Sequence, residues 1–166
     1  MARITLNGNQ VEAPAGSNLL MVALEQGVAI PQLCFHPALS APASCRMCVV
    51  EVEGEGGWQL VTACNTCIAD GMEVRTESER VAQARQAALE FMLLDHPLEC
   101  PECERSGECE LQDYVRAHGR DVGRCSEVKS QRGKQALGPR LLLHVDRCMG
   151  CGRCVRFCEE VTGDGE

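Results

Sequence analysis

Aromatic residues are scarce in this chain of 166 residues, which holds three Phe, one Trp and one Tyr. Aromatic side chains bury large areas, so a chain with so few of them is poor material for a large packed core. Something other than apolar burial is therefore expected to help hold the fold together.

Long hydrophobic runs and an excess of positive charge are also missing, and no secretory leader is expected. The longest uncharged stretch, 28–45, contains three prolines and cannot form a membrane helix. The formal net charge of −8 argues against nucleic-acid binding, which needs a basic surface. The opening residues MARITLNG show no basic segment followed by an apolar run, so we expect a reducing, cytoplasmic compartment.

Cysteine is the residue that the chain has in abundance. There are thirteen cysteines, and an odd number with repeated C-x2-C pairs favours metal binding over a disulfide scaffold. Metal binding can supply much of the folding free energy of small modules. Bound metal is therefore expected to compensate for the poor apolar core.

One group of metal-ligating residues has the spacing H-x3-C-x2-C-x5-C and consists of His96, Cys100, Cys103 and Cys109. Structural zinc sites usually draw on two well-separated knuckles, which this compact run lacks. The spacing suits a [4Fe–4S] cluster in which one histidine replaces a cysteine. The simpler interpretation of His96 is a hydrogen-bonded histidine before a proline, but three cysteines without a fourth partner nearby favour the ligand role.

A second group begins with Cys34, Cys45 and Cys48, spaced C-x10-C-x2-C. Plant-type [2Fe–2S] ferredoxins place three cysteines in one loop and a fourth at a distance, although with a shorter first gap. Cys64 and Cys67, both in the segment ACNTCIADGM, compete for the fourth position.

The third group is the run C-x2-C-x2-C-x3-C formed by Cys148, Cys151, Cys154 and Cys158. This is the strongest short motif in the sequence and is typical of [4Fe–4S] binding. Two-cluster bacterial ferredoxins have proline after the fourth cysteine, whereas Glu159 stands here.

These motifs resemble a known family. CPECERSGECELQ is similar to the histidine-and-three-cysteine motif in the large iron–sulfur subunit of respiratory NADH:quinone oxidoreductase (complex I), and in related hydrogenases and formate dehydrogenases. CFHPALS and CRMCVVEVEG resemble the first motif of that subunit, and RCMGCGRCVRF resembles its third. The resemblance extends over nearly the whole chain and implies the N-terminal cluster-binding region of the subunit.

The resemblance also implies ligand roles. The family has proline where this chain has Cys67, so Cys64 is the expected fourth ligand of the [2Fe–2S] cluster and Cys67 a small buried residue. In the third motif the family's fourth ligand is a cysteine well downstream. We therefore expect Cys148, Cys151 and Cys154 as ligands of a second [4Fe–4S] cluster that forms if the chain is complete, with Cys158 as a weaker alternative.

Three further residues, Ala43, His36 and Cys125, lie near the motifs or between them. Ala43 stands where the family usually has glycine, and a positive φ there would strain the loop. His36 is expected to form hydrogen bonds rather than bind metal. Cys125 has no partner at ligand spacing and is expected to be a free thiol.

The implied function is single-electron transfer from a flavin-containing NADH-oxidising subunit, through other iron–sulfur subunits of the peripheral arm, toward quinone. The chain would be an electron carrier without catalytic residues of its own, held at the inner face of the cell membrane through its partner subunits. One alternative is the electron-input segment of an NAD-linked hydrogenase or formate dehydrogenase. A non-redox zinc-binding scaffold is a third hypothesis.

The local patterns predict an α+β fold that begins as a β-grasp domain. Residues 2–6 alternate as a strand, Asn7-Gly8 is a hairpin turn and a second strand follows at 10–13. Ser17 is the predicted N-cap of a helix that ends at Gly27. Further strands are predicted at 58–63 and 72–76.

Beyond this domain, Ser78 is predicted to cap a helix whose apolar face includes Val81, Ala88 and Leu89. A short helix is predicted at 110–118 and a strand at 140–145. The predicted organisation is a [2Fe–2S] ferredoxin-like domain (1–78), a small helical His/Cys3 [4Fe–4S] module (79–119), a connecting loop (120–138) and the start of a ferredoxin-like [4Fe–4S] domain (139–166).

Overall fold

A hairpin opens the fold. In the computed structural model, which describes residues 1–164, strand β1 (Ala2–Leu6) pairs antiparallel with β2 (Asn9–Ala13), with Ile4 opposite Val11. Asn7 and Gly8 have φ of 49° and 84°, as the tight two-residue turn requires. The predicted hairpin is therefore confirmed.

Three more strands complete a five-stranded mixed sheet. They are β3 (Val49–Gly54), β4 (Gly57–Thr62) and β5 (Glu73–Arg75), and the strand order is β2-β1-β5-β3-β4. Strand β5 pairs parallel with β1 and antiparallel with β3, so it joins the two hairpins at the centre of the sheet. The strands predicted at 58–63 and 72–76 correspond to β4 and β5, with small differences at their ends.

Helix α1 (Leu19–Glu25) packs on this sheet and begins one residue later than predicted. Its N-cap is Asn18, whose side chain accepts a hydrogen bond from the Met21 amide at 3.2 Å. The prediction of Ser17 as the cap is wrong because the Ser17 carbonyl is engaged by the Ile68 amide, at 2.9 Å, outside the helix. The chain leaves the helix at Gly27, which has a φ of 74°.

The first core lies between α1 and the sheet. Its fully buried large side chains come from β1, α1, β3 and β5: Ile4, Leu6, Leu19, Leu20, Val50 and Val74. Cys48 and Cys64 belong to the same core. The β-grasp arrangement expected from the sequence is thus present, with two of the cysteines inside it.

Two longer helices follow the sheet. Helix α2 (Glu79–Leu93) is capped by the Ser78 side chain, as predicted, and α3 (Glu110–His118) has the predicted bounds. A second core joins these helices to the first domain, and its buried members are Leu33, Met47, Ala88, Leu89 and Leu111. Half-buried Cys45, Cys109 and Met149, one from each motif, pack against this second core.

The segment after α3 contains a small hairpin of β6 (Lys134–Ala136) and β7 (Leu142–His144). The prediction of a loop over 120–138 is therefore wrong for β6, whose exposed residues have no apolar alternation that would indicate a strand. Helix α4 (Arg153–Phe157) continues into a π-helical turn at Cys158–Thr162, and the last two residues of the predicted segment 139–166 lie outside the described residues. Among residues 1–164, no helix has both the length and the apolar character needed to cross a bilayer.

Candidate metal centres

The first candidate centre gathers four cysteines that are widely separated in the sequence. Cys34 and Cys45 lie in the loop after α1, Cys48 directly precedes β3, and Cys64 lies in a short 3-10 turn after β4. The Ala63 amide donates to the Cys48 carbonyl at 3.0 Å, which ties the last two positions together. Cys34, Cys48 and Cys64 are buried, and Cys45 is half-buried at the edge.

The four thiols of this centre form one hydrogen-bonded network. Cys34 accepts hydrogen bonds from the Cys45 and Cys64 thiols, which lower the pKa of Cys34 and raise those of the two donors. Cys64 also donates to Cys48 and lowers the pKa of Cys48 to about 7. Cys45, Cys34, Cys64 and Cys48 are thus linked in a chain, and the pKa values of Cys34 and Cys48 are lowered. Such a set of neighbouring thiols suits a thiolate-bound cluster.

Two residues in the loop of the first centre have positive φ. Ala43 has a φ of 54° and Arg46 a φ of 57°, on either side of Cys45. Ala43 thus has the positive φ that was expected to strain this loop. The strained turn curves the backbone between Cys34 and Cys48 around the place where the sulfurs meet.

The second candidate centre is a cavity that opens to solvent beside the start of α3, and its lining includes His96, Cys100, Cys103 and Cys109. All four members of the H-x3-C-x2-C-x5-C motif therefore face one space. The Nδ1 atom of His96 is buried and has no hydrogen-bond partner in the described part of the chain. Burial, reinforced by the positive charges of Lys129 and Arg147, lowers the pKa of His96 and keeps the ring in the neutral form that binds metal.

An arginine from the third motif also lines this cavity. Arg147 forms ion pairs with Glu104 and with Glu99, at 3.2 Å for the latter, and its charge interacts favourably with Cys103. Because Arg147 directly precedes Cys148, it connects the second and third motifs.

The third candidate centre is more open. Cys151 is half-buried, whereas Cys148, Cys154 and Cys158 are exposed. Cys154 lies within α4 and Cys158 begins the π-helical turn, so these two are one turn apart on a continuous helical segment. Across residues 1–164, no three His, Cys, Asp or Glu side chains converge as the ligands of a single metal ion would.

The remaining candidates lie outside these groups. Cys67 is exposed, so the prediction of a small buried residue is wrong; its backbone forms an isolated bridge to Asn18, which turns the side chain outward. Cys125 is exposed. His36 accepts a hydrogen bond from the Ala38 amide at 3.2 Å and so stabilises a local turn, in line with its expected hydrogen-bonding role.

Sequence reasoning did not identify three buried or half-buried arginines near the cysteines. Arg85 is buried on α2 and donates to the Val49 carbonyl at 3.0 Å; burial lowers its pKa, while Glu77 and Cys48 oppose that shift. Arg147 lines the second cavity, and Arg156 is buried beside the first centre. Arginine is rarely buried, so only the position of these residues within or beside the motifs could have suggested such roles.

Two protein families match parts of this chain. Residues 1–79 match the 2Fe-2S iron-sulfur cluster binding domain, and residues 85–124 match the NADH-ubiquinone oxidoreductase-G iron-sulfur binding region. The matched residues contain the first and second candidate centres, respectively. The chain is thus an iron–sulfur protein with a ferredoxin-type α+β domain, as the sequence predicted.

Individual relatives agree with these matches. The chain is 40% identical over 165 residues to the 78 kDa subunit of mitochondrial NADH-ubiquinone oxidoreductase from Candida albicans, covering 98% of this chain and 23% of that protein. It is 43% identical over 169 residues to an NADH-quinone oxidoreductase subunit from Rhizobium meliloti, covering 98% of this chain and 19% of that protein. The chain therefore spans about a quarter or less of the length of these relatives.

A solved structure has the same fold. A chain of the NAD+-reducing [NiFe]-hydrogenase in the H2-reduced state superposes with a TM-score of 0.84 at 34% identity, over 95% of this chain and 65% of that one. Both the hydrogenase chain and the oxidoreductase subunits match along almost all of the present sequence. Over almost its whole length, the chain is homologous to the 75–78 kDa iron–sulfur subunits of NADH-quinone oxidoreductase and their bacterial counterparts.

Proposed function

We propose that the chain transfers single electrons within an NADH:quinone oxidoreductase, from a flavin-containing NADH-oxidising subunit toward quinone. It would carry one [2Fe–2S] cluster on Cys34, Cys45, Cys48 and Cys64, and one [4Fe–4S] cluster on His96, Cys100, Cys103 and Cys109. A second [4Fe–4S] cluster would use Cys148, Cys151 and Cys154, with a fourth ligand beyond residue 166 or, as a weaker alternative, Cys158.

The observation that carries this proposal is the cavity of the second centre. An imidazole with a buried, unpartnered nitrogen and three cysteines line the same space, and burial keeps that imidazole neutral. A histidine ligand replaces an anionic thiolate with a neutral group, so a cluster held by His96 and three cysteines would carry less negative charge than one held by four cysteines. This exchange is expected to raise its reduction potential relative to an all-cysteine site.

The role of the chain in the reaction follows from what iron–sulfur clusters do. When bound, each cluster accepts one electron and passes one electron on. The residues of this chain would hold the clusters, exclude water around the first one and set the local charge, and the hydride chemistry would belong to a neighbouring subunit.

The proposed partners are the flavin subunit and the other iron–sulfur subunits of a peripheral arm, with attachment at the inner face of the cell membrane through the complex. Support comes from relatives that are named as subunits of NADH-quinone or NADH-ubiquinone oxidoreductase. Each centre falls in one of the proposed segments 1–78, 79–119 and 139–166, with 120–138 as the connection.

A second candidate function is electron input in an NAD-linked hydrogenase. The superposition with the NAD+-reducing [NiFe]-hydrogenase covers 95% of this chain, which favours this alternative over a formate dehydrogenase. The two functions share the same cluster-binding centres and differ in the subunits that surround them.

Anaerobic iron and sulfide analysis, with EPR spectroscopy of the dithionite-reduced chain, tests the proposed clusters. We expect a rhombic [2Fe–2S] signal that is lost in Cys64→Ser and retained in the matched control Cys67→Ser. We also expect a [4Fe–4S] signal that is lost or altered in His96→Ala, while the [2Fe–2S] signal stays the same. Stoichiometric zinc without any reduced signal after reconstitution would contradict electron transfer and favour a zinc-binding scaffold.

The partners need a separate measurement. Purification of the native assembly that contains this chain, followed by mass spectrometry and assays with NADH, quinone and hydrogen, separates the two functions. Quinone reduction by NADH supports the proposed oxidoreductase, whereas hydrogen-dependent reduction of NAD+ would support the hydrogenase.

A further inference from the structure

Arg156 connects the third motif to the first centre. It lies on α4 between Cys154 and Cys158 and is only 7% exposed. Its Nη2 atom donates to the Cys34 carbonyl at 2.5 Å, and its Nη1 atom donates to the Ser40 carbonyl. The same Nη2 atom is 3.5 Å from the Cys151 carbonyl, so one guanidinium contacts the backbone of a ligand candidate in each of two centres.

A second contact fixes the same loop. Glu160, in the π-helical turn after α4, accepts a hydrogen bond from the Ser40 amide at 2.8 Å and another from the Ser40 hydroxyl. Arg156 therefore holds both ends of the loop 34–40, and Glu160 holds its Ser40 end. Because these residues are more than a hundred positions apart in the sequence, the contacts decide how the third motif lies against the first domain.

The charge of Arg156 has no contact ion pair within the residues that the structure describes. The carboxylate of Glu160 feels this charge, and its pKa is lowered first by Ser40 and only last by Arg156. A buried guanidinium without a paired anion is costly unless other negative charge compensates it. A cluster held by the four thiolates of the first centre carries net negative charge and would provide that compensation.

We propose that Arg156 is a shared positioning residue of the first and third centres, which docks α4 on the loop 34–40 and favours the reduced form of the [2Fe–2S] cluster. This inference depends on the proposed function, because it assumes that the first centre holds that cluster. Reduction adds one electron, supplied by dithionite in the test, and no protein bond forms or breaks. The guanidinium is bonded to the backbone of Cys34, a proposed ligand of that cluster, so its positive charge should favour the added electron and its removal should make reduction harder.

An EPR-monitored redox titration of the [2Fe–2S] signal tests the electrostatic part. In Arg156→Gln we expect the equilibrium constant for reduction to fall about tenfold, which for a one-electron couple is a potential about 59 mV more negative. Arg156→Lys keeps the charge and should shift the potential less. Arg153→Gln is the charge-matched control on the same helix, because Arg153 faces Glu110 at 3.8 Å and should shift the first centre less than Arg156→Gln does.

Hydrogen exchange tests the positioning part without any reference to cluster activity. Backbone amides of residues 34–40 should exchange faster in Arg156→Gln and in Glu160→Gln than in the unaltered chain. Because Glu160→Gln removes a negative charge, its potential should move in the opposite direction from that of Arg156→Gln. A simple docking role without electrostatics would instead shift both potentials in the same direction.

The outcomes separate this inference from the proposed function. If the unaltered chain forms no [2Fe–2S] cluster, the proposed function fails, and the exchange measurement still decides whether Arg156 docks α4. If the cluster forms and Arg156→Gln changes neither its potential nor the exchange of residues 34–40, the inference about Arg156 is wrong. If Arg156→Gln does not fold, Arg156→Lys tests the docking part through the exchange of residues 34–40, and the potential of Glu160→Gln tests the electrostatic part.

Discussion

Replacement of Asn18 by alanine should destabilise the first domain through two contacts at once. The Asn18 side-chain oxygen accepts from the Met21 amide at 3.2 Å, and its Nδ2 donates to the Cys64 carbonyl at 2.6 Å. The first contact caps α1, and the second holds the backbone of a ligand candidate. Alanine removes both.

The size of the effect can be worked out from these contacts. Loss of an N-cap side chain typically costs about 1 kcal/mol. Loss of one further intramolecular hydrogen bond costs about 1 kcal/mol. We therefore expect Asn18→Ala to lower the free energy of unfolding by about 2 kcal/mol, or the melting temperature by about 4–8 °C for a chain of this size.

Neighbouring variants make the test specific. Ser17→Ala should change the free energy of unfolding by less than about 0.5 kcal/mol, because Ser17 contributes its backbone amide and carbonyl to the fold. Asn18→Asp keeps the cap acceptor and loses the donor to Cys64, so about 1 kcal/mol should be lost.

Urea unfolding of the cluster-loaded chain, followed anaerobically by far-UV circular dichroism, measures these differences. Hydrogen exchange at the Met21 amide reports the cap directly and should accelerate in Asn18→Ala alone. If Ser17→Ala costs as much as Asn18→Ala, Ser17 is the functional cap and the reasoning from these contacts is refuted.

Three further predictions concern the loops of the centres. Ala43→Val should lower the free energy of unfolding by about 2 kcal/mol or more in urea titrations. The reason is that a branched side chain tolerates neither the positive φ nor the buried position. Equal stability of Ala43→Val and Ala43→Gly would show that φ is not the constraint. Arg147→Gln should move the reduction potential of the histidine-ligated cluster to a more negative value in an EPR redox titration, because the carboxylates of Glu99 and Glu104 lose their cation. An unchanged potential would show that the charge of Arg147 does not influence this cluster. Asp146→Asn should accelerate hydrogen exchange of the Arg132 and Gly133 amides, which donate to the Asp146 carboxylate at 2.7–3.0 Å. Unchanged exchange would mean that the charge of this carboxylate does not protect the two amides.

Local patterns were enough where a single short-range rule decides the structure. The β1–β2 hairpin follows from apolar alternation and one Asn-Gly turn, and the bounds of α3 follow from its spacing and Gly119. Ala43 could be identified as a strained position because its place relative to Cys45 was defined by the motif. The family itself could be recognised because ligand spacing is imposed by the chemistry of the clusters.

Long-range contacts were the part that the sequence could not provide. The choice between Ser17 and Asn18 depends on Cys64, which lies 46 positions after Asn18 and holds its amide group in place. The burial of Arg156 depends on carbonyl groups 116 and 122 positions earlier in the chain. Strand β6 forms by pairing with β7 rather than through a pattern of its own.

The second core also determines which parts of this chain can exist alone. Leu33 and Met47 belong to the ferredoxin-like segment, yet they are almost fully buried in a cluster with residues of α2 and α3. Excision of residues 1–78 would remove the contacts of both side chains with α2 and α3, and complete exposure of each would cost about 1.5–3 kcal/mol of burial free energy. Residues 1–78 are therefore not expected to form an independently stable domain. A ferredoxin shortened to these residues would need polar replacements of Leu33 and Met47 to remain soluble.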